Sequence, residues 1–431
     1  MRNFRIWIGF VTAFAAAALV ACGGGGSSGD SANVRLVNAT LTHASLTVLA
    51  NATSVVSATA TDTASAYVSV PAGSPVLQVN DSGSGAVLAT TAPTVAKGQH
   101  FALIAYESGG NVRTAVIAED STAPTTGTAE LRIFDTATDS GAIDVYVTAP
   151  TVDITTLSSP TFTFASSTSV QASAFLSFGP GTYRVRVTGA GNATDLRLDI
   201  PSVVLASQDI ATVVLTPTTG GTLANGAVLL QQGTYTATRN TSARVRLAAA
   251  VSGGASVTAA AGGISIGTGV VAPAIGAYTN VPAGSAINIS VNGASVAAPA
   301  TALAAGSDTT LLVYGNAGSA VASLIADDNH LPAVTTNFKV RLLNGVTGAA
   351  TPLSLDVNFA VVASNVTPGT ASAYAVVPAG TAGTFTQINV TSPASLTPIY
   401  TANVPIPGNS VFTLFMLGDA SGPIPVLRKD R

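Results

Sequence analysis

The sequence predicts an all-β protein built as four tandem immunoglobulin-like antiparallel β-sandwich domains. Three observations carry that reading. One phrase is written four times along the chain, as "AYVSVPAGS" from Ala66, "AFLSFGPGT" from Ala174, "AYTNVPAGS" from Ala277 and "AYAVVPAGT" from Ala373. The segments around it alternate apolar and polar residues with a period of two, the signature of a strand with one buried face. No segment shows a helical period, and units of about 100 residues with frequent turn signals suit small sandwiches better than propeller blades or solenoid turns.

Each unit opens on a strand with Arg set between apolar residues: Val34-Arg35-Leu36, Leu131-Arg132-Ile133, Val245-Arg246-Leu247 and Val340-Arg341-Leu342. The arginines stand 97, 114 and 95 residues apart. A second strand follows, as in Ile143 to Val147 and Leu353 to Val357. Next comes the repeated phrase, with Tyr67, Phe175, Tyr278 and Tyr374 in equivalent places. Val-Pro-Ala-Gly fits a type I turn in which Pro presets φ, whereas Gly179-Pro180-Gly181 of the second unit suits a type II turn with Gly at positive φ. The phrase is therefore read as a tight corner between two strands, with its aromatic packed beside it. An alternating strand comes next, as in Tyr183 to Val187. A nearly continuous apolar run closes the unit: Phe101 to Tyr106, Ala211 to Leu215, Leu311 to Tyr314 or Val411 to Leu417. Such runs fit strands covered on both faces.

The chain has 431 residues, too many for one ordinary domain. The expected division is a signal peptide over 1–21, a Cys-led Gly/Ser tether over 22–32, and sandwiches over 33–124, 125–242, 243–335 and 336–431. Hydrophobic residues make up 47% and charged residues only 9%, which excludes disorder and leaves Ser, Thr, Asn and Gly to carry the polar surface. The formal charge of −3 and the lack of any basic patch exclude a nucleic-acid partner.

Arg2 and Arg5 followed by the apolar run Ile6 to Val20 form a secretory signal. Its end, Leu19-Val20-Ala21-Cys22, resembles the lipobox of bacterial lipoproteins. That resemblance implies cleavage before Cys22 and lipid on the new N-terminal residue. A plain signal peptide and an uncleaved anchor are the other readings of the segment. Cys22 is the single Cys of the chain, so lipidation would leave no thiol for a disulfide, a metal site or a nucleophile. Gly23, where some lipoproteins carry Asp, favours the outer membrane by the same resemblance; facing inward or outward stays open.

"VRLVNAT", "DVYV" and "AYVSVPAGS" together resemble the bacterial family known as domain of unknown function 4397. The resemblance implies an envelope or secreted protein and supplies no activity. It covers most of units one, two and four; unit three matches mainly at Arg246 and from Tyr278 to Gly284. The second-strand Asp is kept as Asp144 and Asp356, while Thr47 and Thr258 stand nearby in the other two units. The family's short bend "HASPDAP" is replaced by "NATLTHAS" and "FDTATDSGA".

Candidate chemistry is sparse. His43, His100 and His330 lack metal-pair spacing and read as surface or turn residues. Glu119-Asp120 and Asp327-Asp328-Asn329 end units one and three; they read as solvated inter-domain turns, with a Ca²⁺ site as the alternative, though no alternating Asp loop is present. Gly23 to Gly26 lacks the Lys-Ser/Thr of a phosphate loop, and no nucleophile elbow occurs. Asn38, Asn192 and Asn365 head Asn-x-Ser/Thr triplets that read as composition. Asp144, Tyr146, Arg184 and Arg186 are expected to point outward and form a cross-strand ion pair. The expected function is a non-catalytic envelope lipoprotein acting as a semi-rigid stalk or adhesion-like binder, with no cofactor and with an unidentified protein, glycan or cell-wall partner. A carbohydrate-binding or carbohydrate-processing protein, or an accessory subunit of an envelope complex, is the alternative.

Overall fold

The computed structural model describes residues 30–348, 352–381 and 383–431. The signal segment, Cys22 and most of the expected tether lie outside these residues. Among the described residues the regular elements are strands and a few short 3-10 turns, and no helix is long and apolar enough to cross a membrane.

The first sandwich shows the plan. One sheet holds the opening strand Ser31–Asn38 at its centre, flanked by the short strands Thr63–Ala64 and Val68–Pro71 and then by His100–Ser108 and Asn111–Ala118. The other sheet runs Thr53–Ala60, Ser45–Ala50, Leu77–Asp81, Val87–Thr91. The same two-sheet order recurs in the second, third and fourth units, whose opening strands are Ala129–Asp135, Ser242–Val251 and Asn337–Asn344. The second unit adds an edge strand, Tyr235–Thr238. Tandem sandwiches are thus what the sequence encodes.

Three details depart from expectation. Ser31 and Ala32, assigned to the tether, already belong to the opening strand. Pairing is antiparallel except at one place in every unit, where the opening strand runs parallel to the long apolar strand, as in Val34 beside Phe101 and Val340 beside Phe412. A parallel neighbour needs a long crossover, and here the whole second sheet supplies it. Gly179 and Gly181 lack the positive φ of a type II turn, because Gly181 already starts the extended strand Gly181–Gly189. Gly73 and Gly284, in the Val-Pro-Ala-Gly copies, do take φ of 101° and 72°.

The repeated phrase is the corner that carries the chain from one sheet to the other. Pro71, Pro282 and Pro378 each end a strand paired to the opening strand. Pro lacks the N–H a central strand would need, so an edge strand's end is where it fits.

The long apolar runs are covered on both faces, as their composition predicts. In the third unit Val245, Leu247, Leu311 and Val313 point into that unit's own core. Alternation turns Ala248, Ala250 and Leu312 the other way, where they pack on Leu343, Phe415 and Leu417 of the fourth. Val37, Ala102, Ile104 and Tyr106 of the first unit meet Val214 and Leu229 of the second in the same way. The units are therefore packed sheet against sheet in two pairs, not end to end as a stalk. The shared apolar face is the reason: a lone sandwich would leave it in water, and burying each large aliphatic side chain is worth about 1.5–3 kcal/mol.

Candidate functional site

Alternation also places the landmark arginines. Each follows an inward residue, so each points into the face between paired units. Arg246 and Arg341 are 1% and 2% exposed. An isolated buried guanidinium is costly, so each must be met by charge and hydrogen bonds. The repeated aromatic is the first partner, because the corner strand pairs with the opening strand. Arg35 lies over the Tyr67 ring at 5.1 Å, Arg132 over Phe175 at 4.5 Å, Arg246 over Tyr278 at 4.6 Å and Arg341 over Tyr374 at 4.5 Å.

A carboxylate completes the set for Arg35, Arg246 and Arg341, while Arg132 Nε donates to Thr212 Oγ1 at 3.1 Å. Arg35 Nε donates to Glu119 Oε2 at 2.9 Å, and Tyr67 donates to the same oxygen. Arg341 donates to Asp327, which also accepts from Tyr278 Oη at 2.5 Å and Thr310 Oγ1 at 2.7 Å. Arg246 donates to Asp430 and, through Nε, to Thr310 Oγ1 at 2.9 Å. Burial raises the Tyr67, Tyr278 and Tyr374 hydroxyls above the ordinary tyrosine range, so all three stay protonated donors.

Glu119 and Asp327 are thus 1% and 3% exposed and are not the solvated turns expected of them. They end the closing strands, Asp327 buried against Arg341 of the fourth unit and Glu119 against Arg35 of its own. Asp120 and Asp328, one residue on, do face solvent. Each histidine is paired with a carboxylate: His43 with Asp81 at 2.9 Å, His100 with Asp120 at 3.0 Å and His330 with Asp328 at 2.6 Å.

The outward set of the second unit is also rearranged. Asp144, Tyr146 and Arg186 are buried. The segment after Thr148 folds back over that face, and Arg186 Nη2 donates to Val152 O at 2.7 Å. Asp144 accepts from Thr163 Oγ1 at 2.8 Å and Gly191 N at 2.7 Å rather than from arginine. The ion pair expected within this set is not formed; Arg184 pairs instead with Asp199, across to the next strand, at 2.6 Å. Cys22 falls outside the described residues.

The two pairs of units meet at a cavity of about 670 Å³, a size that suits a small ligand. All four units line it: Gly109 from the first, Thr219 from the second, Asp328 and His330 from the end of the third, Lys339 and Tyr374 from the fourth. A second hollow of about 390 Å³ shares Gly109 and the Leu331, Pro332, Ala333 linker. Lys339 Nζ crosses the wall to Asp328 Oδ2 at 2.5 Å and to His330 O at 3.0 Å. Burial holds the Lys339 ammonium below the usual lysine range despite Asp328. For Asp328, burial opposes ionisation, but hydrogen bonds and charge from His330 and Lys339 outweigh it and hold the carboxyl well down. The wall polar groups are engaged with one another, an arrangement suited to holding a shape.

Residues 32–146 match the family model described as domain of unknown function (DUF4397). The match bears out the resemblance read from the sequence, over the first sandwich and the opening strands of the second. No curated protein matches the chain. Among solved structures, a product complex of a multi-modular glycogen-degrading pneumococcal virulence factor, SpuA, aligns at 8% identity with a TM-score of 0.15; the alignment covers 85% of this chain and 37% of that one.

Proposed function

We propose that the protein is a non-catalytic lipoprotein of the bacterial cell envelope, anchored through Cys22, whose four sandwiches form one stiff body that holds a partner at the cavity between them. The observation that carries this reading is where the repeated polar groups are used. Arg246 and Arg341 are engaged in joining units through Asp430 and Asp327, Arg35 donates to the Leu230 carbonyl of the second unit at 2.8 Å, and the cavity exists only once the units are joined. Domains of one chain usually move against each other unless their interface is large and apolar. The apolar contacts between paired sheets and the buried arginines within them favour a fixed arrangement. A fixed arrangement is what a composite binding surface needs.

The test begins with labelling by radioactive palmitate and with membrane fractionation of the wild type and Cys22→Ser. Label and membrane association are expected in the first and lost in the second. Protease treatment of intact and of permeabilised cells then fixes the facing side. Digestion in intact cells places the cavity outside and directs the search to surface glycans and host proteins. Protection until permeabilisation directs it to cell-wall and envelope-complex partners. A soluble, unlabelled wild-type protein would sink the anchored reading.

A further inference from the structure

His330 stands where the second unit meets the junction of the third and fourth, and both of its ring nitrogens face acceptors. Nδ1 lies 2.6 Å from Asp328 Oδ1 and Nε2 lies 2.9 Å from the Thr218 carbonyl oxygen. An ionised carboxylate and a peptide carbonyl have no hydrogen to give. A neutral imidazole has one N–H and one lone pair, so it can satisfy only one of them. The imidazolium satisfies both. His100 provides the contrast within the same chain. Its Nδ1 faces Asp120 Oδ1 at 3.0 Å, but its Nε2 faces the Asn33 amide nitrogen at 3.2 Å. An amide nitrogen is a donor, so the neutral ring is complete there.

The contact that His330 serves is narrow. Gly220 N donates to Gly306 O at 2.8 Å, Asn329 N donates to Gly220 O at 3.1 Å, and Leu331 N donates to Asp139 Oδ1 at 2.8 Å. A Cβ on Gly221 would fall 2.7 Å from His330 N, so the two backbones touch. The charged groups facing the ring come from every side. Asp328 belongs to its own segment, Asp139 to the second unit and Lys339 to the fourth unit's opening strand, while Arg431 donates to the Asp139 carbonyl.

We infer that His330 is a proton-operated latch: its imidazolium clamps the second unit onto the junction of the third and fourth, and its deprotonation loosens that contact beside the cavity. The latch adds regulation to the proposed binding cavity and rests on that reading for its biological use alone. Burial opposes the charged ring, but the hydrogen bond to Asp328 and the charges of Asp139 and Asp328 outweigh it and the opposing Lys339, so the pKa is raised. A histidine whose folded pKa lies above its unfolded value, about 6.5, contributes fully below that value. The contribution is lost as pH rises through the folded pKa. The contact is therefore tight in mild acid and looser in alkali.

The experiment uses the full chain without any ligand. NMR follows the His330 imidazole through a pH titration. Hydrogen exchange of the amides at Gly220, Gly221, Asn329 and Leu331 is compared at low and high pH after correction for intrinsic rates. His330 is expected to titrate above about 6.5. Protection at the four amides is expected to fall about tenfold on deprotonation, the scale of one partly buried charge-assisted hydrogen bond. In His330→Gln, which carries no titrating ring, protection should not change over the same range. A ring that titrates at or below the ordinary value overturns the latch. So does wild-type protection that ignores pH, or a pH response that survives in His330→Gln. The wild-type titration stands even where the variant folds poorly. Since no readout involves a ligand, failure of the latch and failure of the binding reading are separate results.

Discussion

Arg246 of the third unit and Asp430 of the fourth form an ion pair across the boundary between their sheets, with both side chains 1% exposed or less. Arg341 of the fourth reaches back to Asp327 of the third in the mirror-image contact. Threonine completes each half: Thr310 Oγ1 donates to Asp327 Oδ2 at 2.7 Å and Thr413 Oγ1 donates to Asp430 Oδ2 at 2.6 Å. Two sandwiches derived from one repeat thus exchange the same pair of charges.

This exchange makes a single neutralisation expensive. Asp327→Asn would leave two buried arginines facing one carboxylate. Breaking a buried pair by removing one partner costs about 3–5 kcal/mol, because the other charge stays desolvated. Asp327→Asn and Asp430→Asn should each lower the stability of the joined third and fourth units by about that amount in urea unfolding. A loss as small as that of an exposed surface pair, under about 1 kcal/mol, would show that water reaches the arginines.

Asp135 should behave in the opposite sense. It is 2% exposed, and burial pushes its carboxyl up to about 6 against the pull of the Ala137 N–H. An acid whose folded pKa exceeds its unfolded value favours folding when protonated. Stability is therefore present below the unfolded value and is lost as pH rises through the folded one. The same place in the first and fourth units holds Asn38 and Asn344, which accept from Thr40 N and Val346 N, each at 3.1 Å, as Asp135 does from Ala137 N at 2.9 Å. Asp135→Asn should keep that turn. It should raise stability near neutral pH by up to about 3 kcal/mol, the equivalent of a shift of two pKa units. It should also flatten the stability profile between pH 4 and 6. Parallel unfolding curves at pH 4 and pH 7 check both parts.

Phe359 has its backbone in the left-handed region at φ 67° with 80% of its surface exposed. The equivalent hairpin turns carry Asn51-Ala52 in the first unit and Gly262-Gly263 in the third. A large side chain in that region costs about 1–2 kcal/mol, and exposure returns little of it. Phe359→Gly should therefore stabilise the fourth sandwich by about 1 kcal/mol, even after the entropy that Gly loses on folding. Thermal unfolding of the variant checks this; a destabilised variant would mean that the ring has a packing role.

The sandwiches, their order and their corners were legible because their signals are local. Alternation, Pro at a strand end and an apolar run each speak within a few residues. The paired arrangement was not, because alternation names a second face without saying what covers it. The same limit explains Asp144 and Arg186, which the strand pattern turns outward and a later loop covers. The Arg and aromatic partners did leave a trace. Arg35 and Tyr67 stand 32 residues apart, as do Arg246 and Tyr278, and Arg341 and Tyr374 stand 33 apart. Near-constant spacing of two residue types across three repeats is the signature of a contact and could have been read, whereas Arg132 and Phe175 of the second unit stand 43 apart and break it. Arg246 meets Asp430 and Arg341 meets Asp327 only once units pair, so spacing within a repeat carries no signal of those contacts.

Gly220 tests whether the two pairs of sandwiches are one body. Its φ is not in the left-handed region, so alanine is conformationally acceptable there. Space is the obstacle, because a Cβ would fall 2.4 Å from the Asp308 backbone nitrogen of the third unit. Backbone on both sides cannot give way as the end of a flexible side chain could. Gly220→Ala should therefore wedge the second unit away from the third while each sandwich keeps its own core and its own partner. The expected result is a larger radius of gyration in small-angle scattering with an unchanged β-sheet circular dichroism signal. An unchanged radius would mean that the 218–223 loop absorbs the methyl group on its own, and the stiffness assigned to the joined units would then have to come from the sheet-to-sheet faces alone.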